Sequence, residues 1–174
     1  MNIYSHEISS YKLEVKKLTQ EYESGSNGEN RTHFSLALSN RSNLIIIGLC
    51  SLIEAYLYEV AEKEEENSSF KIDDIKGNGL SRLRLYLSRS NKIDFGTMKN
   101  WGSFSQVYIL RNALVHGYGG LVDSVDIDRV RKALKVLKLE ECLIADRRIR
   151  LSPPHLLSIC LIVEDIVDKL NECT

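Results

Sequence analysis

Between Ser42 and Tyr58 the chain carries a single charged residue, Glu54. Read as a helix, the stretch from Leu44 to Val60 is apolar on nearly every face, so it belongs inside a bundle rather than on a surface. It sets the fold class as all-α, because a helix of this kind needs other helices around it. The helix is expected to start near Thr32 and run to about Glu66, the longest element of the chain. Its acidic end, Glu62-Lys63-Glu64-Glu65-Glu66, emerges into solvent and opposes the helix dipole, so fraying is expected there. The most apolar part, near Leu44–Ile53, is interrupted by Gly48 and Ser51 and reads as too short to span a bilayer. A core helix, with no membrane involved, is the expectation.

The remaining elements follow from periodicity. Ile8, Tyr11, Val15, Leu18 and Tyr22 recur at helical spacing and predict a first amphipathic helix over about Ile3–Tyr22. Gly25 and Gly28 fall in a polar loop after it. A shorter helix is predicted over Leu80–Ser88, and another from Trp101 or Ser103 to His116, stopped by Gly117. Two readings stand for the next segment. Either Asp128 caps a short helix through Lys135, or Val136–Ile144 runs extended and pairs with Arg148–Leu151 as a short β-hairpin before the last helix. Ser152-Pro153-Pro154 marks a helix start. The final helix then runs to about Leu170, with Leu156, Ile159, Cys160, Val163, Ile166, Val167 and Leu170 as its apolar stripe.

With 174 residues and no repeat or linker, the chain reads as a single domain, 1–174. Its 23 basic and 24 acidic residues argue against coating long stretches of nucleic acid, but leave room for a small basic cleft. Cys50, Cys142, Cys160 and Cys173 form no CxxC pair, and none has a histidine at metal-site spacing. Cys50 and Cys160 lie in apolar helical runs and read as buried thiols. Reduced cysteines and a start without a basic-then-apolar leader point to the cytoplasm.

The chemistry concentrates in Arg111-Asn112-Ala113-Leu114-Val115-His116-Gly117-Tyr118. On a helix turning 100° per residue, Val107 and Val115 lie about 40° to either side of Arg111, so the arginine sits at the centre of the apolar arc. Asn112 and His116 share a neighbouring face. A cation aimed into a helix interface must meet a carboxylate, a phosphate or a partner subunit. Glu54 is the best internal carboxylate, placed to orient Arg111 or to set the tautomer of His116. Arginine grips phosphate through paired hydrogen bonds, histidine moves protons near neutral pH, and asparagine holds an oxygen without charge. Together they suit cleavage of RNA by its own 2′-hydroxyl, with no metal or other cofactor required.

Arg111, four residues and His116 on a late helix of a small all-α domain resemble the signature of the HEPN superfamily, with Asn112 as its polar first intervening residue. The resemblance takes in the long second helix, the motif helix and the closing helix, and implies a HEPN-like helical bundle. It implies a homodimer in which the two motif helices line one cleft, and a metal-independent ribonuclease acting as a toxin or defence effector. Arg111 would bind the scissile phosphate, His116 would act in proton transfer or phosphate contact, and Asn112 would support that geometry. The longer pattern Arg-x4-His-x-Tyr is similar to that of HEPN toxins encoded beside nucleotidyltransferase antitoxins. By that likeness Tyr118 is a regulatory modification site. The competing readings are a non-catalytic dimer that binds RNA, a nucleotide or a protein through the same cleft, and an accessory protein in which Glu54 seals Arg111. The basic groups Arg82, Arg84, Arg89 and Arg147, Arg148, Arg150 could each contact an RNA backbone, but read better as solvated surface.

Overall fold

The computed structural model describes residues 2–25, 31–117 and 120–173. Among them the order is α1 (Ile3–Ser24), α2 (Arg31–Glu65), α3 (Gly79–Arg89), α4 (Trp101–His116), α5 (Ile127–Leu137), β1 (Leu143–Ile144), β2 (Arg148–Ile149) and α6 (Pro153–Cys173). The fold is all-α, with one minimal antiparallel hairpin.

Helix α2 forms the spine. Ile46, Leu49, Cys50, Ile53, Tyr56 and Leu57 are sealed from solvent, and the helix packs against α1, α3, α4 and α6. It is not covered all round. Leu44 is 65% exposed and Tyr58 45%. With Ser51 and Ala55 they recur at helical spacing along one uncovered strip. The expectation of a short apolar run is also corrected. Ser51 does not break the helix, because its hydroxyl donates back to the Ile47 carbonyl at 2.9 Å. The continuous helix is long and apolar enough to cross a membrane, and half of its most apolar stretch is buried within the bundle. Nor is the acidic end idle. Glu65 Oε1 accepts the Ile72 amide at 2.7 Å and anchors a 3-10 turn at Ile72–Asp74.

Helix α6 follows its sequence pattern closely. Every residue of the predicted stripe from Leu156 to Leu170 is fully buried. Ser152 precedes its first turn, and its amide donates to His155 Nδ1 at 3.2 Å. This reciprocates across the turn as in a capping box, with histidine in place of the usual acid. Helix α1 packs mainly on α6 through Ile8, Val15 and Leu18. Lys12 and Glu164 pair across that seam at 2.8 Å, and Asn2 reaches Asn171 at 2.8 Å.

Both alternatives for the segment after the motif are present: the helix is longer than expected, Ile127–Leu137 with Asp126 rather than Asp128 at its N-cap, and the hairpin is shorter. Val130, Ala133 and Leu134 bury the apolar side of α5, which ends where Lys138 turns left-handed at φ 58°. Two-residue strands then pair Leu143 with Ile149 and Ile144 with Arg148. The hairpin holds the chain that leaves α4, because Val122 N–H donates to the Arg147 carbonyl at 2.8 Å and Leu121 bridges Arg148.

Gly117 closes α4 for a steric reason. Its amide still donates to Ala113 at 2.9 Å, but a Cβ there would run into the Leu121 carbonyl. Gly117→Ala is therefore expected to destabilise the chain by about 1–3 kcal/mol through forced backbone movement. Urea unfolding checks this; an unchanged midpoint would show that the Leu121 turn is free to yield.

Candidate functional site

The motif helix is fixed at its start by aromatic packing. Trp101 is buried between Phe95 and Phe104, with ring centroids 4.4 and 5.5 Å away. Just before it, Asn100 donates to Asp165 of α6 at 2.6 Å. Val107, Leu110 and Leu114 then bury the helix. That rotation leaves Arg111 half-buried beside α2, as its place in the apolar arc requires.

Glu54 meets it there. Glu54 Oε2 lies 3.6 Å from Arg111 Nη2, with the two side chains 21% and 22% exposed. The other carboxylate oxygen has two donors. Oε1 accepts the Tyr108 hydroxyl at 2.7 Å and the Leu80 amide at 3.1 Å. Glu54 thus caps the first turn of α3 while facing the arginine, a favourable place for a carboxylate. Gly79 permits this approach. It sits at φ 52°, and a Cβ would meet Glu54 Oε1 at 2.8 Å and the Tyr108 hydroxyl at 3.2 Å. The guanidinium carbon also stands 5.4 Å from the Tyr108 ring centroid, a cation–π distance.

The arginine remains under-satisfied. Nη1 donates to Asn112 Oδ1 at 2.9 Å, the Nη2–Glu54 contact is too long for a strong hydrogen bond, and buried Nε has no acceptor. The group opens into a cavity of about 590 Å³ between α3, α4 and α5, which Arg84, Asn112 and Arg129 also line. A phosphate entering there would find donors already in place.

Burial pushes the Tyr108 phenol up to about 12, and its hydrogen bond to Glu54 adds to the shift. Burial and Glu59 do the same for Tyr4, also to about 12. A raised folded-state pKa means the stabilisation is complete below pH 10 and lost as the pH climbs through 12. Stability should therefore fall between pH 10 and 12. Tyrosinate absorbance should show these two phenols titrating after the exposed ones; a single transition near 10 would refute the assignment.

His116 does not share the Arg111 cavity. It is exposed on the last turn of α4 and makes no hydrogen bond among the described residues. It lines one cavity of about 280 Å³ with Asn112, Asp126 and Arg129, and another of about 300 Å³ with Asp126 and Arg147. Glu54 therefore orients Arg111 and does not set the His116 tautomer, because the two sit on different faces of α4. Asn112 stands between the arginine and histidine cavities. Tyr118 lies outside the described residues.

Sequence spacing gave no hint of one cluster. Cys142 Sγ lies 3.3 Å from His155 Nδ1, and His155 Nε2 lies 3.2 Å from Glu141 Oε1. These are residue types that hold metals, and their ligand atoms fall within 4.8 Å of one another. However, the Nδ1 lone pair already faces the Ser152 amide and hydroxyl, the latter at 3.0 Å. The cluster reads as a helix cap. Cys50, Cys142 and Cys160 are buried thiols, and burial pushes them up to about 12, 12 and 11. They are not poised nucleophiles.

Arg84, Asp126 and Arg129 also escaped the sequence reading as site residues. Each comes from an element whose docking against α4 no local pattern reveals. No family model, curated protein or solved structure matches the chain.

Proposed function

We propose that the chain is a metal-independent endoribonuclease of HEPN-like type, cleaving RNA by 2′-hydroxyl attack and acting as a cytoplasmic toxin or defence effector. The observation that carries the reading is Arg111. It is positioned by Glu54, Tyr108 and Asn112, yet keeps unused donors at the edge of a cavity with two further arginines. That is a preorganised anion site, and a guanidinium there stabilises the charge that develops on an attacked phosphate.

Arg111 and His116 lie on different faces of α4, and the cavities they line adjoin at Ile109, Asn112 and Arg129; the proposed catalytic unit is a homodimer in which one copy's histidine complements the other's arginine. Exposed apolar surface on the helices that carry the Glu54–Arg111 pair supports this. Val115, one turn beyond Arg111, is 47% exposed, and the Leu44–Tyr58 strip runs along α2. An antitoxin of nucleotidyltransferase type, acting on Tyr118, belongs to the same proposal.

The open cavity beside Arg111 also suits a second reading, a non-catalytic dimer that binds RNA, a nucleotide or a protein, whereas the Glu54–Arg111 contact within one subunit is the mark of the accessory protein. RNA cleavage in excess chelator separates the two readings. Activity in the wild type and its loss in Arg111→Ala and His116→Ala support the nuclease. Binding without turnover across varied RNAs supports the alternative, and cleavage unchanged in both variants rejects the site.

A further inference from the structure

Another cavity, of about 500 Å³, lies at the opposite end of α2, between the start of that helix, the β1–β2 hairpin and the start of α6. Ser39 in its wall and Glu54 at the motif site are fifteen residues apart on one helix, so the two sites are separated by about 22 Å. We propose that this cavity binds a phosphate monoester carrying an apolar body, independently of the ribonuclease reading.

Three observations converge on that ligand. Arg150 is half-buried, its Nη1 is sealed from solvent without an acceptor, and no carboxylate pairs with it among the described residues. Its charged neighbour is Arg148, and burial together with that like charge holds the guanidinium below its usual range. A desolvated cation with only a like charge nearby calls for an anion. Secondly, Ser39 is 6% exposed, lines the same cavity, and its hydroxyl has no partner among the described residues. Thr32 and Ser35 extend this hydroxyl row along α2 at helical spacing, and Arg31 brings a second guanidinium. Thirdly, among the described residues the lining contains no acidic residue, unlike the motif cavity with its Glu54.

Two guanidinium groups and a row of hydroxyls match a dianion with three terminal oxygens better than a monoanionic carboxylate. The rest of the wall fixes the other end of the ligand. Leu36 and Ile144 line the cavity and are exposed apolar side chains, 39% and 52% accessible. A phosphate at Arg150 would place an attached hydrocarbon or aromatic group against them.

The test uses the full chain in phosphate-free buffer, with phenyl phosphate as the probe and benzoate as the carboxylate control. Phenyl phosphate is expected to bind by calorimetry and to raise the melting temperature of the wild type. In an Arg111→Ala background, which silences the motif cavity, Arg150→Met should weaken that affinity at least tenfold and Ser39→Ala several-fold. Without ligand, Arg150→Met should melt no lower than wild type, because it removes an uncompensated buried charge. Absence of binding, equal affinity for benzoate, or full affinity in Arg111→Ala/Arg150→Met each overturns the proposal. So does a marked loss of melting temperature in ligand-free Arg150→Met, which would mean that the cation is already paired. Binding lost in Arg111→Ala but retained in Arg150→Met would move the ligand to the motif cavity and reject this site.

Discussion

RNA incubated with the wild-type chain and excess chelator is expected to yield fragments ending in 2′,3′-cyclic phosphate and 5′-hydroxyl. Arg111→Ala should slow that cleavage by about 10²–10³-fold, the usual effect of deleting one preorganised donor to a developing oxyanion. His116→Ala should slow it by about 10²–10⁴-fold, the range for a lost proton-transfer group. End-mapping of the products and circular dichroism of each variant make the result interpretable. The helix geometry adds a sharper test. Because Arg111 and His116 sit on different faces of α4 on one chain, a mixture of the two inactive variants, refolded together, should recover part of the activity. Each mixed dimer would carry one intact arginine and one intact histidine. A monomer by light scattering, or a mixture as dead as its components, would sink the two-subunit cleft.

Glu54→Ala has the largest expected effect on stability. It strips the acceptor from the Leu80 amide and the Tyr108 hydroxyl and leaves Arg111 unpaired in a half-buried place. Breaking a buried pair from one side costs about 3–5 kcal/mol. For a chain of this size that is a melting temperature lower by roughly 6–20 °C. Glu54→Gln keeps an oxygen for both neutral donors and should lose less. The double variant Glu54→Gln/Arg111→Met removes the charge problem from both sides and should recover most of the stability, a non-additivity that a double-mutant cycle reads directly. If Glu54→Ala melts like the wild type, the carboxylate is not holding α3 and α4 together.

Where the hydrophobic period is strong, the chain could be read directly. The α6 stripe from Leu156 to Leu170 is buried residue for residue, and α1, α2 and α4 begin and end within two residues of their predicted bounds. The meeting of Glu54 and Arg111 was also legible, because each was the isolated charge of an apolar helix. Contacts between elements of weak pattern were not. Nothing local says that Tyr108 and the Leu80 amide share the Glu54 carboxylate, since that depends on α3 docking end-on to α2 through Gly79. The segment from Val130 to Leu151 was undecided because both alternatives occur in series, α5 taking Ile127–Leu137 and the hairpin only two residues per strand. Arg150 looked like surface within a basic trio, yet its neighbours Ile149 and Leu151 are both buried and draw it inward. The uncovered strip on α2 was hidden for the opposite reason. Composition says a helix is apolar, but not how many neighbours arrive to cover it.

The seam between α1 and α6 has a consequence for synthesis. Helix α1 leaves the ribosome well before α6, the helix it mainly packs against, and Asn2 reaches Asn171 across that seam. At ordinary elongation rates α1 waits on the order of ten seconds for its partner. Over the same interval α2 also lacks α4 and α6. The most aggregation-prone helix of the chain is thus among the earliest made and the latest sheltered, so yield should depend more on chaperone capacity and growth temperature than on the stability of the finished bundle.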